Sequence, residues 1–174
     1  MVDEPIGPPS PHPEPHAAAD RATQIGGDRG ADGRGPVPVL DDAGISAVLR
    51  TARRIAIVGA SSKPWRASNG VMRTLMAAGY ECVPVRPGAT EINGVPAFAT
   101  LDAAVAAGGP FDIVDVFRRS EDCVPHAEEA VRTGAGCLWL QLGIVNWEAA
   151  RIAAAAKVAV VMDRCTAIEL ARIG

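Results

Sequence analysis

From about residue 41 onward, short continuous apolar runs alternate with longer stretches whose apolar residues recur every three or four positions. The continuous runs predict strands at Arg54–Val58, Glu81–Val85, Phe111–Phe117, Cys137–Leu142 and Val158–Met162, with a weaker one near Val95–Phe98. The periodic stretches predict helices at Ser68–Ala78, Leu101–Ala107, Asp122–Thr133, Asn146–Ala156 and Thr166–Ile173. In the first of these, Val71, Leu75 and Ala78 share one stripe, with Met72 and Met76 beside it. Asp41-Asp42 offers a cap for a further short helix carrying Ile45, Val48 and Leu49. Strands that are apolar without alternation, and separated by helices, call for a sheet covered on both faces. The pattern therefore predicts one doubly wound, mostly parallel-sheet α/β domain over residues 41–174.

The first 40 residues break this pattern. They hold eight of the 14 prolines and almost no large apolar side chain. Such a segment cannot bury enough surface to offset its ordering entropy, so residues 1–40 are expected to form a disordered tail. Charge is divided in the same way. Residues 1–45 carry eight acids against three arginines, and residues 46–174 carry 12 acids against 14 bases. The formal net charge of −3 thus hides a slightly basic folded part. The four cysteines, Cys82, Cys123, Cys137 and Cys165, form no C-x-x-C pair and lie in or beside apolar segments. They read as reduced thiols of a cytoplasmic protein, not as a disulfide framework or a metal site. No apolar run reaches the length of a membrane span, and the N-terminus has no signal-peptide pattern.

Ligands of open α/β sheets bind outside the carboxyl ends of the strands, so the residues following each strand carry the functional reading. Ser61, Ser62, Lys63 and Arg66 follow the first strand, and Arg86 follows the second. Arg118 and Arg119 follow the Phe111 strand, Gln141 and Gly143 close the Cys137 strand, and Asp163 and Arg164 follow the last. Six bases and one acid on one edge, where helix N-termini also point, predict a polyanionic ligand. Some of these arginines could instead be structural, bonding carbonyls or carboxylates such as Asp115. Gly59 permits a tight turn, and Ala60 and Ser61 are small enough for a phosphate to approach the backbone. The second and third glycines of the dinucleotide fingerprint are absent. Where NAD would want a carboxylate, the chain offers Val85-Arg86-Pro87. An arginine there suits a ribose phosphate, which both NADP and coenzyme A present.

Six blocks then occur in order: IAIVGAS, GYECVPVRP, EINGVPAFATL, FDIVDVFRRSE, GAGCLWLQLGI and VVMDRCTAIE. Together, over about residues 50–174, they resemble the small single-domain CoA-binding protein family. The domain of that family is similar to the Rossmann-type CoA-binding domain of the succinyl-CoA ligase α subunit. The resemblance implies coenzyme A or an acyl-CoA as a small-molecule ligand, with neither nucleic acid nor a membrane as partner. The expected contacts are Gly59, Ala60, Ser61, Ser62, Lys63 and Ser68 around the first loop. Arg86, Phe117, Arg118, Arg119, Gln141 and Gly143 are expected around them. One departure stands out: the family pattern leads one to expect asparagine at Arg86. Nothing corresponds to the ligase's phosphorylated histidine. His12 and His16 fall in the tail, and His126 reads as a surface or satisfied helix residue. No catalytic residue emerges, and a nucleotide-binding module that holds coenzyme A or an acyl-CoA at the strand carboxyl edge is the leading expectation. The rivals are an NADP-dependent oxidoreductase, which would need a second domain for its substrate, and an interaction module that has lost its ligand. Cys165, beside Arg164 at a helix start, is the one candidate reactive thiol, although a small apolar role suits it better. Trp65 is a candidate cover for the ligand, and Trp139 and Trp147 read as packing.

Overall fold

Residues 37–174 are described by a computed structural model. Apolar runs become strands where both faces can be buried. They are β1 (Arg54–Val58), β2 (Glu81–Val85), β3 (Glu91–Ile92), β4 (Val95–Pro96), β5 (Ile113–Val116), β6 (Cys137–Leu140) and β7 (Ala159–Val161). The helices are α1 (Asp42–Thr51), α2 (Ala67–Ala77), α3 (Leu101–Gly108), α4 (Cys123–Arg132), α5 (Trp147–Ala155) and α6 (Thr166–Ile173). Among the described residues no helix is long and apolar enough to cross a membrane.

Five strands form one parallel sheet in the order β2-β1-β5-β6-β7. Successive side chains of a strand face opposite sides, so each strand feeds two cores. In β1, Ala56 and Val58 join α3, α4 and α5 on one face, while Ile55 and Ile57 join α1, α2 and α6 on the other. The result is the expected three-layer α/β arrangement. The chain runs from β1 outward to β2, then returns to β5 on the other side of β1 and continues to β7. The direction of strand order therefore reverses between β1 and β5. A crevice for ligands opens at such a reversal.

The first two expected strands keep their limits, the last three are trimmed at their ends, and the two sheet edges differ from the prediction. No strand runs from Val95 to Phe98. Instead β3 and β4 make a two-residue antiparallel hairpin, turned by Asn93 (φ 53°) and Gly94 (φ 79°). Beyond it, Phe98 bridges β2, donating to the Pro84 carbonyl (3.0 Å) while the Arg86 amide donates to Phe98 (2.7 Å). Pro84 has no N–H, and an edge strand is where a proline does least harm. At the opposite edge, the Leu40 amide donates to the Val160 carbonyl of β7 (2.8 Å), and Val37 and Leu40 are both buried. Packing thus includes Val37 and Leu40, ahead of the boundary at residue 41 expected from the proline-rich composition. The disorder expected for residues 1–36 lies outside the described residues.

Candidate functional site

Gly59 sets the geometry of the crevice. Its φ of 81° lies in the left-handed region, and its amide donates to the Val85 carbonyl (3.0 Å). A Cβ placed here would stand 2.6 Å from the Phe117 carbonyl oxygen and 3.0 Å from Arg118 Cδ. Glycine is therefore required because the loop after β1 touches the end of β5. The loop continues through Ala60 and Ser61, both buried. Among the described residues the amides of Ala60, Ser61 and Ser62 donate to no protein acceptor. Arg66 caps α2 with no side-chain bond, so the first amides of that helix are also open. The free amides of Ala60, Ser61 and Ser62, and beyond the bonded Lys63 and Arg66 amides those of Ala67 and Ser68 at the start of α2, can together serve as an anion cradle. Ser68, in the first turn of α2, is buried beside it.

Asn69, which the sequence reading missed, holds this loop in shape. Its Nδ2 donates both to the Ser61 carbonyl (2.8 Å) and to Asn93 Oδ1 (2.8 Å). Asn93 Nδ2 donates back to the Asn69 carbonyl (3.3 Å). The β3–β4 hairpin is thereby tied to the loop. The Asn-Gly turn in EINGVP was the visible signal for that element; nothing in the sequence announced its partner.

The six bases of the edge do not act alike. Arg119 is occupied, with Asp122 at 3.0 Å and Glu121 at 3.4 Å, and these carboxylates raise its pKa further. It stands exposed among acids that already engage its charge. Arg164 is occupied too, by Asp42 (2.8 Å) and by the buried Glu169 (3.0 Å). Arg118 only reaches Asp122 at 4.0 Å. Arg86 Nη1 donates to the Ala60 carbonyl (3.2 Å), which stretches the guanidinium over the first loop. Lys63 lies 5.8 Å from the ring centroid of the exposed Trp65. Lys63, Arg66 and Arg86 form no ion pair among the described residues. The uncompensated positive charge therefore collects at the ends of β2 and β1, with Arg118 of β5 at its margin.

The β6 side is different. Gln141 was expected to contact ligand, but its side chain turns inward. Its Nε2 donates to the Asp115 carboxylate (2.7 and 2.9 Å) and to Thr166 Oγ1 (2.8 Å), and Thr166 Oγ1 donates to Asp115 Oδ2 (2.9 Å). Both amide hydrogens are thus used inside the fold. Asp115 meets no arginine. It is fully buried, and burial pushes its pKa up to about 7 despite the two hydrogen bonds. The Gly143 amide is likewise engaged, donating to Asp163 Oδ1 (2.7 Å). His126 sits half-buried on α4, where its Nδ1 bonds to nothing and burial lowers its pKa. That corrects its reading as a surface or satisfied residue. Burial raises the thiols of Cys82 to about 12 and Cys123 to about 11, and that of Cys137 also goes up. Cys165 is partly exposed at the start of α6. Trp139 is fully buried, with its Nε1 donating to the Arg164 carbonyl (2.7 Å). Among the described residues no group of three or more His, Cys, Asp or Glu could hold a metal ion.

The crevice at the strand reversal lies within the span that comparison with known proteins picks out. A model of the CoA binding domain matches residues 53–171. The uncharacterized protein YneT of Bacillus subtilis (strain 168) is 42% identical over 121 residues, covering 70% of this chain and 87% of that protein. Among solved structures, a hypothetical protein from Pyrococcus horikoshii OT3 is 32% identical with a TM-score of 0.72, covering 77% of this chain and 92% of its own. A Thermus thermophilus structure, cell-free ID.343, is 34% identical with a TM-score of 0.71, covering 77% of this chain and 99% of its own. The matched span contains every strand of the sheet and the whole crevice, and the chain belongs to the CoA-binding domain family.

Proposed function

We propose that the protein is a cytoplasmic binding module for coenzyme A, acting by holding the ligand and not by covalent catalysis. The observation that carries this reading is the row of open amides at Ala60, Ser61 and Ser62 beneath unpaired cations. A pyrophosphate fits that cradle, because its oxygens can accept the loop amides and those of the first turn of α2. Lys63, Arg66 and Arg118 surround the same place and supply countercharge. Arg86, at the end of β2, is the residue suited to the ribose 3′-phosphate. Its Nη1 is anchored on Ala60, which leaves the rest of the guanidinium free to meet a second anion. Arginine at this position strengthens that contact relative to an asparagine. The raised thiols of Cys82, Cys123 and Cys137 fit a protein that keeps its cysteines reduced.

Calorimetry with CoA and dephospho-CoA tests the reading. CoA is expected to bind the wild type more tightly. Arg86→Ala is expected to weaken CoA by about fivefold to thirtyfold, corresponding to roughly 1–2 kcal/mol for a partly exposed charge-assisted bond, and to leave dephospho-CoA almost unchanged. Failure of the wild type to bind CoA overturns the proposal. Equal affinity for the two ligands removes Arg86 from the ribose phosphate and leaves only the cradle.

A further inference from the structure

The edge that carries the cations also carries an apolar half. Among the described residues the exposed large hydrophobic side chains are Trp65 (77% exposed), Leu142 (62%), Val145 (42%) and Ile168 (48%). All four follow the carboxyl ends of strands: Trp65 after β1, Leu142 and Val145 after β6, and Ile168 in the first turn of α6 after β7. None lies on the opposite edge or on the outer face of a helix remote from it. The cations without an ion pair, Lys63, Arg66 and Arg86, follow β1 and β2, and Arg118 after β5 reaches Asp122 only at 4.0 Å. One end of a single edge therefore carries the free bases, with Trp65 beside Lys63, and the other carries Leu142, Val145 and Ile168.

Leu142 and Val145 are not on a slack loop. The Gly143 amide is held by Asp163 Oδ1 (2.7 Å), and the Ile144 carbonyl accepts the Asp163 amide (3.3 Å). The Val145 amide donates to Ser120 Oγ (3.1 Å), and Asn146 Nδ2 donates to the Ser120 carbonyl (2.7 Å). The loop is pinned to segments on both sides while Leu142 faces solvent. A leucine fixed in that position gives up burial unless something apolar covers it.

Resting on the CoA reading above, we infer that the preferred ligand is a CoA thioester with an aliphatic acyl chain, which covers Leu142 and Val145. Charge complementarity fixes the polarity of the ligand on the edge. Its phosphates belong over the β1 loop and Arg86, so its sulfur end leads away from them across β5. The β6 loop is two strand spacings from β1, roughly 10 Å, and lies in that direction. The pantetheine arm already extends over that distance, and a chain on the sulfur adds apolar surface over this half beyond what free CoA supplies. Phosphate contacts are common to all CoA species, so the apolar half is what distinguishes one thioester from another.

Calorimetry on the full chain with CoA, acetyl-CoA and octanoyl-CoA tests this. Octanoyl-CoA is expected to bind about tenfold or more tighter than acetyl-CoA, since each methylene laid against apolar surface adds affinity. In Leu142→Ser/Val145→Ser that gain of octanoyl-CoA over acetyl-CoA is expected to vanish while the melting temperature stays as it was, because both side chains are exposed. Equal affinity of the wild type for all three ligands overturns the inference and leaves the CoA proposal standing. Binding of none of them overturns both. If chain length has no effect and sedimentation shows a concentration-dependent dimer that the double variant abolishes, the apolar half belongs to a second copy of the chain, and the inference is overturned.

Discussion

Asp115 is the residue most at odds with its surroundings. It stands in β5 between Val114 and Val116, fully buried, beside Trp139 of β6 and Ile57 of β1 in register. Its partners are a neutral amide and a neutral hydroxyl, with no cation among them. Desolvation therefore dominates and pushes its pKa up to about 7, against about 3.9 in an unfolded chain. The sign follows directly. Between those two values the folded protein holds a proton that the unfolded chain has released. Stability is complete below about pH 4, falls as pH rises through that window, and levels off above about 7. Asp115→Asn cannot ionise and can keep the hydrogen bond from Gln141. Chemical denaturation from pH 5 to pH 8 is therefore expected to show the wild type losing roughly 2–4 kcal/mol relative to the variant. The comparison between variants matters, because His126, with its lowered pKa, works in the opposite direction in both proteins. Parallel stability curves would show that Asp115 stays ionised. This network also explains why Gln141 misled the sequence reading. Its position at a strand's carboxyl end was legible, but the direction of its side chain depends on Thr166, a residue 25 positions away.

At the scale of elements, the strands were legible where an apolar run is bounded by charge or glycine. Arg54–Val58 and Glu81–Val85 match their predicted limits. Other runs overshoot because hydropathy extends past the ladder. Phe111 and Asp112 precede β5, and the Asp112 carboxylate instead accepts the amides of Arg53 (2.7 Å) and Arg54 (2.8 Å). The β3–β4 hairpin escaped because two-residue arms carry no periodicity, although Asn93-Gly94 is a turn signal. That hairpin matters to the site only through Asn69. Asn69→Ala removes the donor to Ser61 and strands Asn93, so a loss of about 1–3 kcal/mol in stability is expected. If the clamp pre-organises the cradle, the variant should also bind CoA about tenfold more weakly, and the Lys63 amide, which donates to Ser61 Oγ, and its loop neighbours should exchange with solvent faster. Unchanged exchange at those amides would separate the hairpin from the loop's geometry and make the clamp purely structural.

For the whole molecule, composition placed the start of the domain too late, and the reason is physical. Asp41 was a readable cap, and its side chain does accept the Gly44 amide (2.8 Å). The preceding Val37-Pro38-Val39-Leu40 looked like more of the proline-rich tail. Yet a proline on a sheet margin costs little, because its missing N–H faces no partner. Val37 and Leu40 are buried in different cores, Val37 among the α3–α5 face and Leu40 among the α1–α2 face. The four-residue segment thus closes the β7 edge and both layers at once. Two truncations distinguish this from a dispensable tail. Removal of residues 1–36 leaves every contact described above in place, so melting temperature and CoA affinity are expected to stay nearly constant. Removal of residues 1–40 takes away two buried apolar side chains, uncovers the surface beneath them and unpairs the Val160 carbonyl. Each such side chain contributes roughly 1.5–3 kcal/mol when buried, so a loss of about 3–5 kcal/mol is expected, lowering the melting temperature by roughly 10 °C or more. The crevice between β1 and β5 lies two strands from that edge, so the shorter protein should bind CoA with nearly wild-type affinity at temperatures where it is folded. Identical melting of the two truncated proteins would mean that Val37 and Leu40 cover the sheet without stabilising it.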